Sequence, residues 1–169
     1  MQKTDWFNRK FPVIEDNGLM LGIIERLKGT PARLEELTRG TSNAVMEMKK
    51  NGKWSVKEEI GHLYDLEPLW IGRLDDLVNG LPVLRVTDLT NQKTHEAQHN
   101  KTDINTLLHQ FRQLRQVFLS NLLQINDEDL LKTSSHPRLK TPMRIIDLAY
   151  FVAEHDDHHL ANISSLLLL

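Results

Sequence analysis

The sequence predicts an all-α protein, an up-down-type four-helix bundle with additional short helices, and three observations lead there. Apolar residues recur at three- and four-residue spacing over long stretches, which gathers them on one face of a helix. Helix-start signals stand at the heads of several of these stretches, as Thr-Pro pairs and a Ser-x-x-Glu box. No convincing alternation of apolar and polar residues marks a strand. The 169 residues suit a single domain, and a domain of this size buries roughly two-thirds of the surface its unfolded chain exposes.

From Val13 to Leu27 the apolar residues follow the helical period, Gly29 has the form of a C-terminal stop, and Thr30-Pro31 supplies a cap with proline at the first helical position. This reads as one helix, a sharp joint, and a second helix through about Leu37. After the polar stretch Thr41 to Lys53, Ser55-Val-Lys-Glu58 has the form of a capping box. A helix therefore starts at Ser55, and its stripe of Val56, Ile60, Leu63, Trp70, Leu74 and Leu77 carries it to about Val78. Pro68 removes one backbone donor and crowds the carbonyl of Tyr64, which predicts a kink there but no break.

Between Gly80 and Asn100 no period persists, and a connection of that length is often a lid or a binding loop. The segment 81–100 is thus a candidate wall of a site. Ile104, Leu107, Leu108, Phe111, Leu114, Phe118 and Leu122 then predict a helix from about Thr102 to Leu123, with Arg112, Arg115 and Gln116 on its polar face. A turn at Asp127 to Leu131 and a loop from Ser134 to Lys140 lead to the last helix, opened by Thr141-Pro142. Its apolar line of Ile145, Leu148, Val152, Ile163 and Leu166 passes through His155 and His159. The closing run Leu166 to Leu169 reads as a helix end that packs on the core or on a second copy, so a homodimer is expected.

Composition excludes several functions. There is no cysteine, so disulfides, thiolate metal sites and an internal cysteine nucleophile are ruled out together. The 21 basic and 23 acidic residues are spread along the chain, which leaves no single-sign field to recruit nucleic acid. The N-terminus lacks the apolar core of a signal peptide, and no run approaches the roughly 18 apolar residues of a membrane span. A cytoplasmic protein without a membrane partner is the expectation.

The segment from Ala153 to Ala161 carries the chemistry. His155 and His159 lie one helical turn apart and project side by side, so two imidazoles can grip one ion. His158 is rotated about 100° from His159 and is assigned outward. A histidine pair alone is weak evidence; His62, at the edge of the apolar stripe of the Ser55 helix, is the candidate third ligand, with a boundary histidine bonded to a neighbouring carboxylate as the competing reading. Glu154, Asp156 and Asp157 read as solvated, Trp54 and Trp70 as core anchors, and His95 and His99 as part of a mobile loop with no second metal. Glu67, five residues beyond His62, is rotated about 140° from it.

A family resemblance resolves the third ligand. The stretch WSVKEEIGHL from Trp54 to Leu63, followed by Leu66-Glu-Pro-Leu-Trp70 and Arg73, resembles the first metal-ligand helix of the DinB-like superfamily, which includes bacillithiol S-transferases. His136-Pro-Arg-Leu, Pro142-Met and the stretch from Phe151 to Ala161 resemble that family's last helix, in which the first and fifth residues of a His-x-x-x-His element bind metal. The resemblance spans about Leu21 to Leu166 and implies His62, His155 and His159 as ligands of one divalent ion. Nitrogen ligands suit Zn, Ni, Cu, Fe and Co, and of these zinc or nickel is the expectation. Three neutral imidazoles leave a coordination position open, as catalytic sites do.

The expected function is that of a metal-dependent enzyme, a thiol S-transferase or a hydrolase acting on a small electrophilic molecule. Without cysteine, any thiol must arrive as a second, low-molecular-weight substrate. The alternative is a non-catalytic metal-binding stress-response module.

Overall fold

The computed structural model describes residues 4–168. Its helices, in chain order, are α1 (Met20–Thr38), α2 (Asn43–Met46), α3 (Val56–Val78), α4 (Gln92–Glu96), α5 (Ile104–Leu123) and α6 (Ile145–Leu167). The four long ones build a bundle, and the short ones lie in its connections. The strand content among the described residues is two paired dipeptides, β1 (Ser134–Ser135) and β2 (Pro142–Met143), antiparallel with Ser135 opposite Pro142. A pairing this short leaves no alternation to detect. Among the described residues no helix is long and apolar enough to cross a membrane.

The long helices share two buried apolar clusters, and the order in which each helix meets them gives its direction. α1 contributes Ile23, Ile24 and Leu27 to the first and Leu34 to the second. α3 meets them in reverse, with Ile60 and Leu63 before Trp70, Leu74 and Leu77, and α5 does the same with Leu107 and Phe111 before Phe118 and Leu122. α6 returns to the order of α1, with Leu148 and Val152 before Leu160 and Ile163. The directions are therefore up, down, down, up; α3 packs on α5 and α1 on α6 as parallel pairs, and α3 on α6 and α1 on α5 as antiparallel ones. Parallel neighbours need a long return. The connection between α3 and α5 has to carry the chain back along a helix about 34 Å long, which accounts for its length.

Between the two clusters lies a polar layer with one contribution from each long helix. Arg115 of α5 donates to Glu67 of α3 (Nη2 to Oε1, 2.6 Å) and to both oxygens of Asp156 of α6, while Thr30 of α1 donates to Asp156 Oδ2 at 2.7 Å. Arg115 is 1% exposed and the other three are fully buried. Burial would lower the Arg115 pKa, but the two carboxylates outweigh it and hold the guanidinium charged. The expected solvent-facing places of Arg115 and Asp156 are thus both corrected: each is paid for in the interior by a partner on another helix, which helix periodicity does not reveal. Glu154 and Asp157 do lie near the surface, paired with Arg26.

The same layer explains a second departure. Gly29 does not stop a helix and Thr30-Pro31 does not start one; α1 runs through both. Proline at 31 deprives the Leu27 carbonyl of its helical donor, and Arg115 Nη1 lies 3.4 Å from that carbonyl as a substitute. The helix also begins later than its apolar spacing suggests, at Met20 after a short 3-10 turn. The Ile14 amide donates instead to Asp147 Oδ1 at 2.7 Å.

The Ser55–Glu58 capping box forms as expected, and α3 continues unbroken across Pro68. The last helix does not open at Thr141-Pro142. Pro142 is taken into β2, and α6 begins at Ile145 behind Arg144, whose amide donates to Asp147 Oδ2 at 2.9 Å. Leu166 and Leu167 pack against the second cluster, and Leu168 is exposed; Leu169 lies outside the described residues.

Replacing Arg115 with methionine would leave Glu67 and Asp156 buried without their cation. The expected loss is about 3–5 kcal/mol of folding stability, read from urea denaturation followed by helical circular dichroism.

Candidate functional site

His62 on α3 and His155 and His159 on α6 converge at the polar layer, each about 95% buried. One ring nitrogen from each lies within 4.8 Å of the others. The Nε2 atoms of His155 and His159 are 3.1 Å apart, and the His62 ring centroid is 4.8 Å from that of His159.

Neighbouring groups set the position of the ring proton in His159 and His62. His159 Nδ1 is 2.5 Å from Glu59 Oε2, a carboxylate that can only accept, so the proton sits on Nδ1 and Nε2 keeps its lone pair. Glu59 is itself held by the Asn162 amide at 3.1 Å. His62 Nδ1 is 3.1 Å from Thr94 Oγ1, whose hydroxyl donates to Asp65 Oδ2 at 2.9 Å. Thr94 therefore accepts from His62, and Nε2 of His62 is also left as a lone pair. Burial first, then the neighbouring His159, pushes the His62 pKa down to about 2. Burial likewise drives His155 well below the ordinary histidine range, with His159 and His62 adding to it. Burial thus keeps the His62 and His155 rings neutral.

The loop 81–100 supports this arrangement from outside. His99 is buried and its Nε2 lies 2.8 Å from Asp65 Oδ2. Burial alone would raise the Asp65 carboxyl, but the hydrogen bonds from His99 and Thr94 outweigh it and hold it below the usual carboxylate range. The expected mobile loop is therefore corrected for its second half: α4 and a 3-10 turn at His99–Lys101 dock onto α3, and His99 serves Asp65. His95 is exposed. Gly61 makes the docking possible, because a Cβ there would lie 2.2 Å from the His99 ring.

A cavity of about 420 Å³ opens from the three histidines. Trp54 and Trp70 flank them, with ring centroids 4.6 Å from His62 and 5.5 Å from His155 respectively. Trp70 is a core residue as expected; Trp54 is not, being half-buried and on the cavity wall. Trp6, from the segment before α1, closes over His155 at 5.0 Å. The wall continues through Val86 and Leu89 of the 81–100 loop to Arg73, His136 and Arg138 at the far end.

A profile of the DinB superfamily matches residues 26–163, most of the chain. The chain belongs to the DinB superfamily. Among solved structures, this DinB chain is similar to YfiT from Bacillus subtilis, described as a probable metal-dependent hydrolase with an unusual four-helix bundle topology. The two share 22% identity over 94% of this chain and 91% of YfiT, with a TM-score of 0.78. At that identity the likeness carries the fold. No curated protein matches the sequence.

The DinB chain thus brings together the three histidines that the sequence singled out. His158 stays outside their cluster, but it does not face solvent as assigned: it is half-buried on the cavity wall, 5.6 Å from Trp6. Glu67 points into the bundle and meets Arg115, away from the histidines. The supporting residues Glu59, Asp65, Thr94 and His99 escaped the sequence reading. Glu59 stands three residues before His62 on the same helix, which was a usable signal; Thr94 and His99 approach from a segment without period.

Gly61→Ala should destabilise the protein by about 1–3 kcal/mol, against the usual gain of up to about 1 kcal/mol for removing a helical glycine. Gly22→Ala, with open space at its Cβ, is the matched control and should raise the melting temperature in the same calorimetric scan.

Proposed function

We propose that the chain is a metal-dependent enzyme that holds one divalent ion, zinc or nickel, through His62, His155 and His159. It acts on a small electrophilic molecule, by hydrolysis or by transfer to a low-molecular-weight thiol. One observation carries this reading: three buried histidines each bring a ring nitrogen within 4.8 Å of the others, and in His159 and His62 the outer nitrogen is committed to Glu59 and Thr94, which leaves Nε2 to serve as the ligand atom. Tetrahedral ligands at about 2.0–2.1 Å from zinc stand roughly 3.4 Å from each other, close to the 3.1 Å between the Nε2 atoms of His155 and His159.

The donor set suits a borderline divalent metal. When bound, such an ion lowers the pKa of a coordinated water or thiol and polarises an electrophile. The protein's own contribution is orientation and exclusion of water. Glu59 and the Thr94–Asp65 pair keep His159 and His62 in one tautomer and one rotamer. Trp54, Trp70 and Trp6 shield the cluster on the cavity side.

Two further observations favour an enzyme over a non-catalytic module. Among the described residues no fourth histidine or carboxylate joins the cluster, whereas structural sites are closed by four protein ligands. The histidines also face a cavity of small-molecule size. The description of YfiT as a probable metal-dependent hydrolase supports the hydrolytic branch. The absence of cysteine makes any thiol a diffusible substrate.

Alanine at His62, His155 or His159 should abolish stoichiometric metal in elemental analysis of purified protein, while His158→Ala should retain it. Glu59→Gln should weaken metal affinity about 10–100-fold in a competition titration with a chromophoric chelator. Full metal retention in all three ligand variants would refute the site.

Chelation should leave helix content intact, because both apolar clusters are built without the ion. The melting temperature should fall by roughly 5–10 °C. The two chemical branches separate by calorimetry in buffers of different ionisation enthalpy: a thiol that binds as thiolate releases about one proton per site near neutral pH, whereas the hydrolytic branch gives turnover with no thiol present.

A further inference from the structure

The far end of the cavity has an electrostatic defect of its own. His136 Nδ1 receives two backbone amides, from Arg138 at 3.2 Å and from Leu139 at 3.1 Å. It therefore carries the lone pair, and the single proton of the neutral ring sits on Nε2. That Nε2 lies 3.1 Å from Nη1 of Arg73, a group that can only donate. Two N–H donors face each other where a hydrogen bond would need an acceptor.

The surrounding charges make the deficit larger. Arg73 is 1% exposed, and its other bond goes to a neutral group, the Arg85 carbonyl, at 3.1 Å. Asp76 acts on it only through space, without a hydrogen bond, because Arg85 clamps both Asp76 oxygens at 2.9 and 2.7 Å. Gly72 leaves room for that clamp, since a Cβ there would meet the Arg85 guanidinium. Arg138 stands opposite with Nη2 shielded from solvent and without a hydrogen bond, as is the indole Nε1 of Trp70. The carboxylate on the cavity wall, Asp88, spends both oxygens on Thr90 and Gln92 of its own loop. Among the described residues neither Arg73 nor Arg138 has an ion-pair partner. Burial, reinforced by Arg73, Arg138 and Lys140, pushes the His136 pKa down to about 3, so this ring cannot be the source of further positive charge.

We propose that Arg73, Arg138 and His136 form a subsite for an oxyanion, a carboxylate or phosphate ester, borne by a substrate whose apolar body lies along Trp70. An anionic oxygen beside Arg73 Nη1 and His136 Nε2 gives both donors the acceptor they lack, and a guanidinium pair matches the planar, bidentate geometry of such groups. The Trp70 ring centroid is 5.5 Å from the His155 ring and 5.5 Å from the Arg73 guanidinium carbon. The anion would thus be anchored about one indole away from the three histidines, with Phe151 completing the wall between them. This inference rests on the cavity being the substrate site; it does not depend on the metal.

The test is done on chelator-treated protein, so that a carboxylate cannot bind through an ion. Titration calorimetry compares 3-phenylpropionate, its neutral amide and phenyl phosphate. Charge-assisted bonds of this kind make the anions bind roughly 10–100-fold more tightly than the amide. Arg138→Gln, which alters a half-buried residue, and Arg73→Met should each bring acid and amide to within about 3-fold without weakening the amide, whereas His155→Ala should leave the preference intact. The stronger of the two anions then assigns the source of the oxyanion. Equal binding of acid and amide, or a preference untouched by Arg138→Gln, overturns the subsite. A preference lost in His155→Ala but kept in both arginine variants overturns it as well, by placing the anion at the histidines, and leaves the metal reading standing.

Discussion

The buried ion pair of Arg115 with Glu67 and Asp156 is the constraint from which the rest of the molecule follows. It joins α3, α5 and α6, and through Thr30 and the Leu27 carbonyl it reaches α1. A charge desolvated this deeply is tolerated only in near-ideal geometry, so the network fixes the rotation of each helix about its axis and its sliding along its neighbours. Asp156 directly follows His155, and Glu67 lies little more than a turn beyond His62. Setting those two carboxylates in place therefore aims the three histidines at one point.

The up-down-down-up order has its own consequence for the site. Because α3 and α5 run parallel, the chain must return between them, and that return passes the His62 face of α3. The segment that closes the topology is then available to support the histidines, with Thr94 and His99 reaching Asp65, and to wall the cavity with Val86 and Leu89. The cavity itself is bipolar. The imidazole nitrogens proposed as metal ligands meet at the His155–His159 end, and N–H donors without an acceptor meet at the Arg73–His136 end, with Trp70 between them. An elongated molecule with an apolar middle and one anionic end is complementary to that pattern.

Much of this was legible in the residues themselves. The capping box at Ser55, the stripe of α3 and the period of α5 led to the correct elements, because such signals are local and the helix satisfies its own backbone. The one-turn spacing of His155 and His159 put both rings on one face for the same reason. Errors arose where a distant group replaced a local rule. Pro31 reads as a helix start until Arg115 reaches the Leu27 carbonyl. Asp156 reads as a surface carboxylate until the same guanidinium meets it, and Pro142 as a cap until Ser135 pairs with it.

Helix content, the histidine pair and the lack of any internal thiol are properties of the order of residues alone, since each depends on neighbours within one turn or on composition. Other features had to await the assembled bundle: the meeting of His62 with the pair, the proton positions set by Glu59 and Thr94, the burial of Arg115 and the donor conflict at His136. Each of these is a contact between residues far apart in the chain, decided by helix packing and by the return of the connection between α3 and α5, and periodicity within a single element carries no information about which face of another element it will meet.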